Sequence, residues 1–169
     1  GMSGRLLPEN EHIEETVRDR VIGQLAADGQ HVVQATRCDT EDVPFDWLLQ
    51  MADGTCIALE VVRAEDESQI RHVEAEHRAG ESVIVGSAEM PWDSFRTAID
   101  KKLRKADGYR NALTNLCSEG QVHLAITSGL QQLHFDGDIG EHIEELARNA
   151  LSAFDAVWLV EGTVARRIV

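Results

Sequence analysis

Residues Pro44 to Arg63 read PFDWLLQMADGTCIALEVVR, and this segment is the most informative about the architecture of the chain. Two of its segments, Phe45–Met51 and Cys56–Arg63, are rich in the apolar and β-branched residues that favour strands. They are separated by Ala52-Asp53-Gly54-Thr55, and an Asp-Gly pair between two strand-like segments is among the stronger hairpin signals. The stretch therefore predicts two antiparallel strands, around which the remaining elements can be placed.

Upstream of this hairpin, the pattern predicts one helix and one strand. Residues 9–27 form an amphipathic helix, because apolar residues recur at every fourth position: Ile13, Val17, Val21 and Leu25. The Asp28-Gly29 pair supplies a stop for this helix. The β-branched segment His31–Cys38 follows as a strand, and a polar loop then leads to Pro44.

Downstream of the hairpin, the pattern predicts two helices and two strands. A long helix begins at Pro91-Trp92-Asp93-Ser94, which is an N-cap signature, and Gly120 ends it. Val122–Thr127 and Ala156–Val160 are compact apolar strands. A further helix that starts at Asp138 is predicted between these two strands.

The order of these elements predicts an α/β domain with a mixed central β-sheet flanked by helices. Strands joined through helices are expected to run parallel. One domain is expected over residues 1–169, with residues 1–8 as a disordered leader. The charged segment Ala64–Gly80 is open between a short helix and an exposed excursion, and Ser82–Gly86 is a candidate strand.

The composition is that of a chain that folds by itself, with 43% hydrophobic and 27% charged residues. The 30 acidic and 16 basic residues give a net charge of −14, which repels a phosphate backbone at long range and suits a protein partner. The basic residues are nevertheless clustered, so a local DNA-binding face stays open as a prediction. The cluster consists of Arg96, Lys101, Lys102, Arg104, Lys105 and Arg110.

The three cysteines, Cys38, Cys56 and Cys117, lie far apart, form no CxxC pair and are odd in number. The sequence therefore suggests neither a disulfide framework nor a zinc site, and a reducing cytoplasm is the expected compartment. No apolar segment approaches the roughly 20 residues that cross a bilayer, so no membrane association is expected. The oligomeric state stays open, a homodimer included.

Two short motifs carry a resemblance to a known family. Pro44-Phe45-Asp46 opens one strand, Leu59-Glu60-Val61-Val62 lies in the next, and a helix and a strand follow. This order is similar to the PD-(D/E)XK nuclease-like (restriction endonuclease-like) superfamily over residues 9–127. The resemblance implies an αβββαβ core, here with an extra C-terminal helix and strand. It also implies that Asp46 and Glu60 bind Mg²⁺ or Mn²⁺, and hard cations of this kind prefer carboxylate oxygens.

Glu60 stands out because the strand that holds it is otherwise apolar. Period-two alternation puts Glu60 on the same strand face as Ala58 and Val62, where a carboxylate needs a partner. It is either a metal ligand or a side chain that reaches solvent or an arginine. Taken alone, Asp46 is an aspartate in a loop before a strand, where this residue is common because it favours turns. It becomes a candidate ligand because Glu60 follows it in the order that the family shows.

The family's lysine, which lies two positions after the second acid, is missing because that position holds Val62. Lys102 is the candidate substitute, since it occupies an apolar slot in the stripe of the long helix. The alternative interpretation is that the aliphatic part of Lys102 covers the edge of the core while its ammonium stays in water. Glu14 is a third candidate metal ligand, and its alternative is an ion pair with Arg18 at i,i+4.

These residues predict a metal-dependent nuclease that hydrolyses DNA phosphodiester bonds. Asp46, Glu60 and Lys102 are the predicted catalytic residues, and Asp46, Glu60 and Glu14 are the predicted ligands of Mg²⁺ or Mn²⁺. The rival hypothesis is a catalytically degenerate nuclease-like domain that acts as a protein-binding or nucleic-acid-binding module. The missing lysine and the net charge favour the rival, whereas a glutamate in an apolar strand favours the nuclease.

Overall fold

The computed structural model describes residues 8–63, 90–127, 145, 148–161 and 164–168. Within these ranges the longer helices are α1 (Pro8–Ala27), α2 (Met90–Leu103) and α3 (Ala106–Leu116). The strands are β1 (Val32–Arg37), β2 (Trp47–Met51), β3 (Cys56–Arg63), β4 (Gly120–Thr127), β5 (Ala156–Glu161) and β6 (Val164–Arg167). Residues 145 and 148–150 are also helical.

The strands form one six-stranded mixed sheet in which they lie side by side in chain order. β1, β2 and β3 are antiparallel neighbours, and Trp47 on β2 lies opposite Leu59 on β3. β3, β4 and β5 run parallel, and β6 returns antiparallel to β5. The predictions of an α/β fold with a mixed sheet, of the hairpin and of parallel strands after it are confirmed.

The turn between β2 and β3 follows from the Asp53-Gly54 pair. Gly54 has a φ of 90°, a left-handed conformation that residues with a Cβ rarely adopt. Asp53 Oδ1 accepts hydrogen bonds from the backbone N–H and the hydroxyl of Thr55, at 2.9 and 2.6 Å. The turn fixes the strand register, and this register places Asp46, just before β2, across from Glu60 on β3.

Helix α1 covers one face of the sheet. Its apolar stripe, Val17, Val21 and Leu25, is almost fully buried against side chains from β2, β3 and β5. The sheet residues on this face include Trp47, Leu49, Ile57, Leu59, Val61 and Trp158. The predicted helix over residues 9–27 is therefore confirmed, and its four-residue repeat is the surface that packs on the sheet.

Helices α2 and α3 cover the opposite face through Ile99, Ala106, Tyr109 and Leu113. Gly120, at the start of β4, allows α3 to pack closely there. A Cβ at this position would lie 2.6 Å from Leu113 Cδ2 and 3.3 Å from the Cys56 carbonyl oxygen. Because both sheet faces are covered, β3 is buried from Cys56 to Val62, as its nearly continuous apolar sequence indicates.

The predicted long helix is in fact two helices, and this prediction is wrong. The chain turns at Arg104 and Lys105, where Lys105 has φ −99° and ψ −6° and its N–H donates to the Lys102 carbonyl three residues back. The final strand β6 was not predicted at all. The predictions for residues 1–7, 64–89 and 138–144 lie outside the described residues. Among the described helices, none is long and apolar enough to cross a membrane.

The expectation that the cysteines are unbridged is corrected for one pair. Cys56, the first residue of β3, and Cys117, the C-cap of α3, form a disulfide with a Cα–Cα distance of 6.3 Å. Close packing at Gly120 brings them together, although 61 positions separate them in the chain. Cys38 is a free cysteine. The disulfide ties the strand that carries Glu60 to the helix that carries Tyr109.

We predict that Cys117→Ser, compared under non-reducing conditions, lowers the free energy of unfolding by up to about 4 kcal/mol. The reason is that a cross-link closing a loop of this length restricts the unfolded chain. Urea titration followed by tryptophan fluorescence measures the loss. Cys38→Ser is the matched control and should change stability little, and equal stability of the two variants would show that the bridge does not contribute.

A buried histidine lies on the α1 side of the sheet. His123 on β4 is 1% exposed, and its Nδ1 accepts a hydrogen bond from Trp158 Nε1 at 3.1 Å. Its Nε2 lies 2.9 Å from Gln121 Oε1, and this network assigns the ring proton to Nε2. Burial, with added repulsion from Arg167, lowers the pKa of His123 to about 4. The imidazole is therefore neutral in the folded chain.

This pKa predicts an acid-sensitive contribution to stability. Below pH 6.5 the unfolded chain binds a proton at His123 while the folded chain does not, so stability falls between pH 6.5 and 4, by about 3 kcal/mol. In His123→Gln the amide can still accept from Trp158, and that part of the pH dependence should disappear. Denaturant unfolding at pH 7, 6, 5 and 4 tests this, with exposed His31→Gln as the control. Parallel profiles for wild type and His123→Gln would contradict the assignment.

Candidate active site

Asp46 and Glu60 meet at the end of the β2–β3 hairpin that lies farther from the turn. Both residues are fully buried, with 0% exposure to solvent. Asp46 Oδ2 accepts the backbone N–H of Val61 at 2.8 Å, which holds the carboxyl group against β3. The carboxyl groups of Asp46 and Glu60 also lie close enough for each to shift the pKa of the other. The two acids singled out in the sequence are therefore direct neighbours in the folded chain.

Two donors from different helices hold Glu60. Lys102 Nζ, in the last turn of α2, lies 3.0 Å from Glu60 Oε2, and the Tyr109 hydroxyl on α3 lies 2.5 Å from the same oxygen. Lys102 is only 5% exposed, so the alternative of an ammonium in water is wrong. The alternative of a Glu60 that reaches solvent or an arginine is replaced by this buried lysine and tyrosine.

The acid pair shares its protons unequally. Burial raises the pKa of Asp46 to about 9, and the negative charge of the adjacent Glu60 acts in the same direction. Burial alone would raise the pKa of Glu60, but favourable interactions, among them those with Asp46 and with the charge of Lys102, outweigh it and lower the value to about 2. The pair therefore holds a single proton at neutral pH, and the negative charge lies on Glu60.

The neighbours of Glu60 respond to its charge. Burial disfavours the charged ammonium, but the Glu60 carboxylate outweighs this and raises the pKa of Lys102. Burial and the same negative charge both raise the pKa of Tyr109, so its hydroxyl remains a donor at neutral pH. Lys102 therefore keeps its positive charge beside the ionised Glu60, and Tyr109 completes the set of donors.

Glu14 approaches the cluster from helix α1 on the other sheet face. It is 3% exposed and accepts a hydrogen bond from Arg37 at the end of β1. The expected alternative, a pair with Arg18, is wrong because Arg18 contacts Asp19 at 2.9 Å. Arg37 Nη2 also lies 4.0 Å from Asp46 Oδ1. Arg37 thereby bridges Glu14 and Asp46, whereas Lys102 lies on Glu60.

Sequence reasoning did not identify Tyr109 or Arg37 as members of this site. Tyr109 is the only tyrosine of the chain and continues the apolar stripe predicted for the long helix, so its spacing alone does not indicate a polar role. A buried tyrosine hydroxyl requires a hydrogen-bond partner, and that signal points to a buried polar group nearby. Arg37 ends a β-branched strand, a position that is usually solvated, and its hydrogen-bond partner Glu14 lies 23 positions away in the chain.

The chemistry of the cluster fits a hard divalent cation in part. Mg²⁺ is commonly held by one or two carboxylates while water and phosphate oxygens complete its shell, and Asp46 and Glu60 supply two such groups. In the described part of the chain, no group of three or more His, Cys, Asp or Glu residues is arranged to hold a metal ion. The residues therefore fit a two-carboxylate site, and the positive charges of Lys102 and Arg37 oppose the incoming ion.

The exposed surface near the site is basic on helix α2. Arg96, Lys101, Arg104 and Lys105 are exposed, while Arg110 on α3 pairs with Asp155 at 3.2 Å. A cavity of about 560 Å³ lies at the opposite end of β3, where Cys56, Asp53 and Glu119 belong to its lining. None of the candidate catalytic residues lines this cavity.

Comparisons with protein-family models, curated proteins and solved structures found no match to this chain.

We predict that Lys102→Met lowers the free energy of unfolding by about 3 kcal/mol or more, because the buried Glu60 carboxylate loses its counter-charge. Chemical denaturation at pH 7 measures the loss. The neighbouring and exposed Lys101→Met is the matched control, and should change stability by less than about 0.5 kcal/mol.

The double variant Lys102→Met with Glu60→Gln completes the test, because it removes both charges of the pair. It should be less destabilised than the sum of the two single variants. Strict additivity would mean that Lys102 and Glu60 do not interact in solution.

Proposed function

We propose that this chain is a metal-dependent nuclease that hydrolyses DNA phosphodiester bonds. The observation that carries the proposal is the buried cluster in which Asp46 and Glu60 adjoin across a hairpin and Lys102 Nζ lies 3.0 Å from Glu60. Buried ionisable groups with strongly shifted pKa values are concentrated at functional sites, and two carboxylates with a lysine are suited to phosphate chemistry.

The strand arrangement supports the restriction endonuclease-like assignment. A helix precedes three antiparallel strands, and further helices then lead to a fourth strand that pairs parallel with the third. This order is consistent with the αβββαβ core that the sequence resemblance implies, and additional elements that include β5 and β6 follow it. Under this assignment, Asp46 and Glu60 would occupy the two positions that the family uses for its metal-binding acids.

The chain's own residues divide the work in this proposal. Asp46 and Glu60 would hold Mg²⁺ or Mn²⁺, and Glu14 would assist from α1. The bound ion supplies charge neutralisation at the phosphate and activation of the attacking water. Lys102 keeps its proton and contributes a fixed positive charge, while the Tyr109 hydroxyl holds Glu60 in one orientation. Asp46 must release its proton to act as a ligand.

The DNA partner would approach along α2, where several exposed basic residues of the described part of the chain are clustered. Arg96, Lys101, Arg104 and Lys105 lie on the same helix and its following turn as Lys102. The whole chain has a net charge of −14, which repels DNA, so binding is expected to be confined to this face and to weaken steeply with salt.

A second candidate function is a non-catalytic binding or assembly module. The observation that favours it is the burial of the whole cluster, because Asp46 and Glu60 are 0% exposed and Lys102 already compensates Glu60. A substrate has to reach a catalytic group, whereas a structural ion-pair network does not. In this role the domain would bind a protein or a nucleic acid through its surface, as fold alone does not establish activity.

We predict that Asp46→Asn and Glu60→Gln each abolish cleavage of DNA in the presence of Mn²⁺ or Mg²⁺ while the fold is retained. In Asp46→Asn the side-chain oxygen can still accept the Val61 N–H, so the contact that holds this side chain against β3 survives. Asp42→Asn is the matched control, because this exposed acid lies on the same β1–β2 connection. Cleavage is measured on single-stranded and duplex DNA.

Thermal unfolding with and without millimolar Mn²⁺ separates the two candidate functions, because a ligand that binds only the folded chain raises its Tm. The nuclease proposal expects a rise in the wild type and in Asp42→Asn, and its loss in Asp46→Asn. An unchanged wild-type Tm together with no cleavage would favour the binding module.

A further inference from the structure

Arg37 connects helix α1 to the candidate site. Its Nη1 donates to Glu14, while Nη2 lies 3.6 Å from Asp39 Oδ2 and 4.0 Å from Asp46 Oδ1. Asp39 adopts a φ of 59°. Two backbone hydrogen bonds, from Cys38 N to Asp46 O and from Asp39 N to Phe45 O, close the loop between β1 and β2, which carries Asp39 and Asp46. Three carboxyl groups from two separate elements therefore converge on one guanidinium.

The side chain of Arg37 is more exposed to solvent than that of Lys102. Its guanidinium carbon lies 5.1 Å from the centroid of the Trp47 ring, yet 31% of its side chain is exposed. The side chain of Lys102 is 6% exposed. Arg37 can therefore turn toward water at moderate cost, whereas Lys102 cannot leave Glu60 without breaking a buried ion pair.

We propose that Arg37 is a positioning residue that holds Glu14 and Asp46 in place and competes with a divalent cation for them. This inference rests on the proposed function, because Asp46 and Glu14 are its candidate metal ligands. A guanidinium and a metal ion cannot occupy the same carboxylate oxygens, and two positive charges at this distance repel each other. Metal binding is then coupled to the release of Arg37 from Glu14 and Asp46.

Calorimetric titration of the protein with Mn²⁺ tests this competition. Arg37→Gln should bind Mn²⁺ on the order of tenfold more tightly than wild type, because the competing charge is gone. Its Tm without added metal should fall by roughly 4 °C, since the buried Glu14 loses its partner, and Mn²⁺ should restore this loss. A purely structural role would lower the Tm and leave the Kd unchanged.

Arg18→Gln is the matched control. Arg18 has its guanidinium carbon 4.3 Å from the centroid of the same Trp47 ring, but it pairs with Asp19. Arg18→Gln removes an equal charge without changing a contact of the candidate ligands, so its Kd for Mn²⁺ should equal that of wild type. Arg37→Lys keeps the positive charge but loses the guanidinium group that contacts two carboxylates at once, so its affinity for Mn²⁺ should rise by only about two- to threefold. This variant replaces Arg37→Gln in the titration if Arg37→Gln does not fold.

The outcomes separate this inference from the proposed function. Equal Mn²⁺ affinity in wild type, Arg37→Gln and Arg37→Lys, lost in Asp46→Asn, would overturn the role of Arg37 and leave the metal site standing. Binding that appears only in Arg37→Gln would support the competition and count against metal-dependent hydrolysis by the wild type. No binding in any variant would overturn both.

Discussion

The structure depends on the burial of one carboxylate, that of Glu60. An ionised glutamate in the middle of an apolar strand is costly unless other groups compensate it. Here the compensation comes from three directions: Asp46 across the hairpin, Lys102 at the end of α2 and Tyr109 on α3. Each partner belongs to a different element, so satisfying Glu60 fixes how the hairpin and both helices are placed relative to β3.

The covalent structure reinforces the same arrangement. The Cys56–Cys117 disulfide joins the start of β3 to the end of α3, and Gly120 removes the side chain that would hold them apart. On the opposite sheet face, Glu14 and Arg37 connect α1 to Asp46. The candidate site is thus the point where both helical layers reach the sheet. A network of this kind is compatible with catalysis, and equally with a structural role that stabilises one packing.

Local pattern in the sequence accounts for much of this fold. The four-residue repeat of α1, the Asp-Gly turn and the apolar run of β3 each depend on neighbours in the chain, and all three were predicted. Lys102 was found because it interrupts an apolar stripe, and Glu60 because it interrupts an apolar strand. A group out of place in its own element is visible in the sequence when its element is regular.

The features that were missed depend on contacts between distant residues. The spacing of Ile99, Ala106 and Tyr109 continues across the turn at Lys105, so apolar periodicity could not reveal the break. The disulfide and the Arg37 network join residues that are 61 and 23 positions apart. In the sequence, Tyr109 has the pattern of a core residue because its ring is apolar. Only the folded arrangement identifies Glu60 as the contact of its hydroxyl.

The proposal that Asp46 and Glu60 are the ligands of a divalent cation is tested by anomalous diffraction from a crystal soaked in Mn²⁺. It predicts an anomalous peak about 2.1 Å from an oxygen of each carboxylate, with Arg37 withdrawn from Asp46. A diffraction map without such a peak, in which Lys102 remains on Glu60 and Arg37 on Glu14, would contradict it. That result would identify the cluster as an ion-pair network of the core.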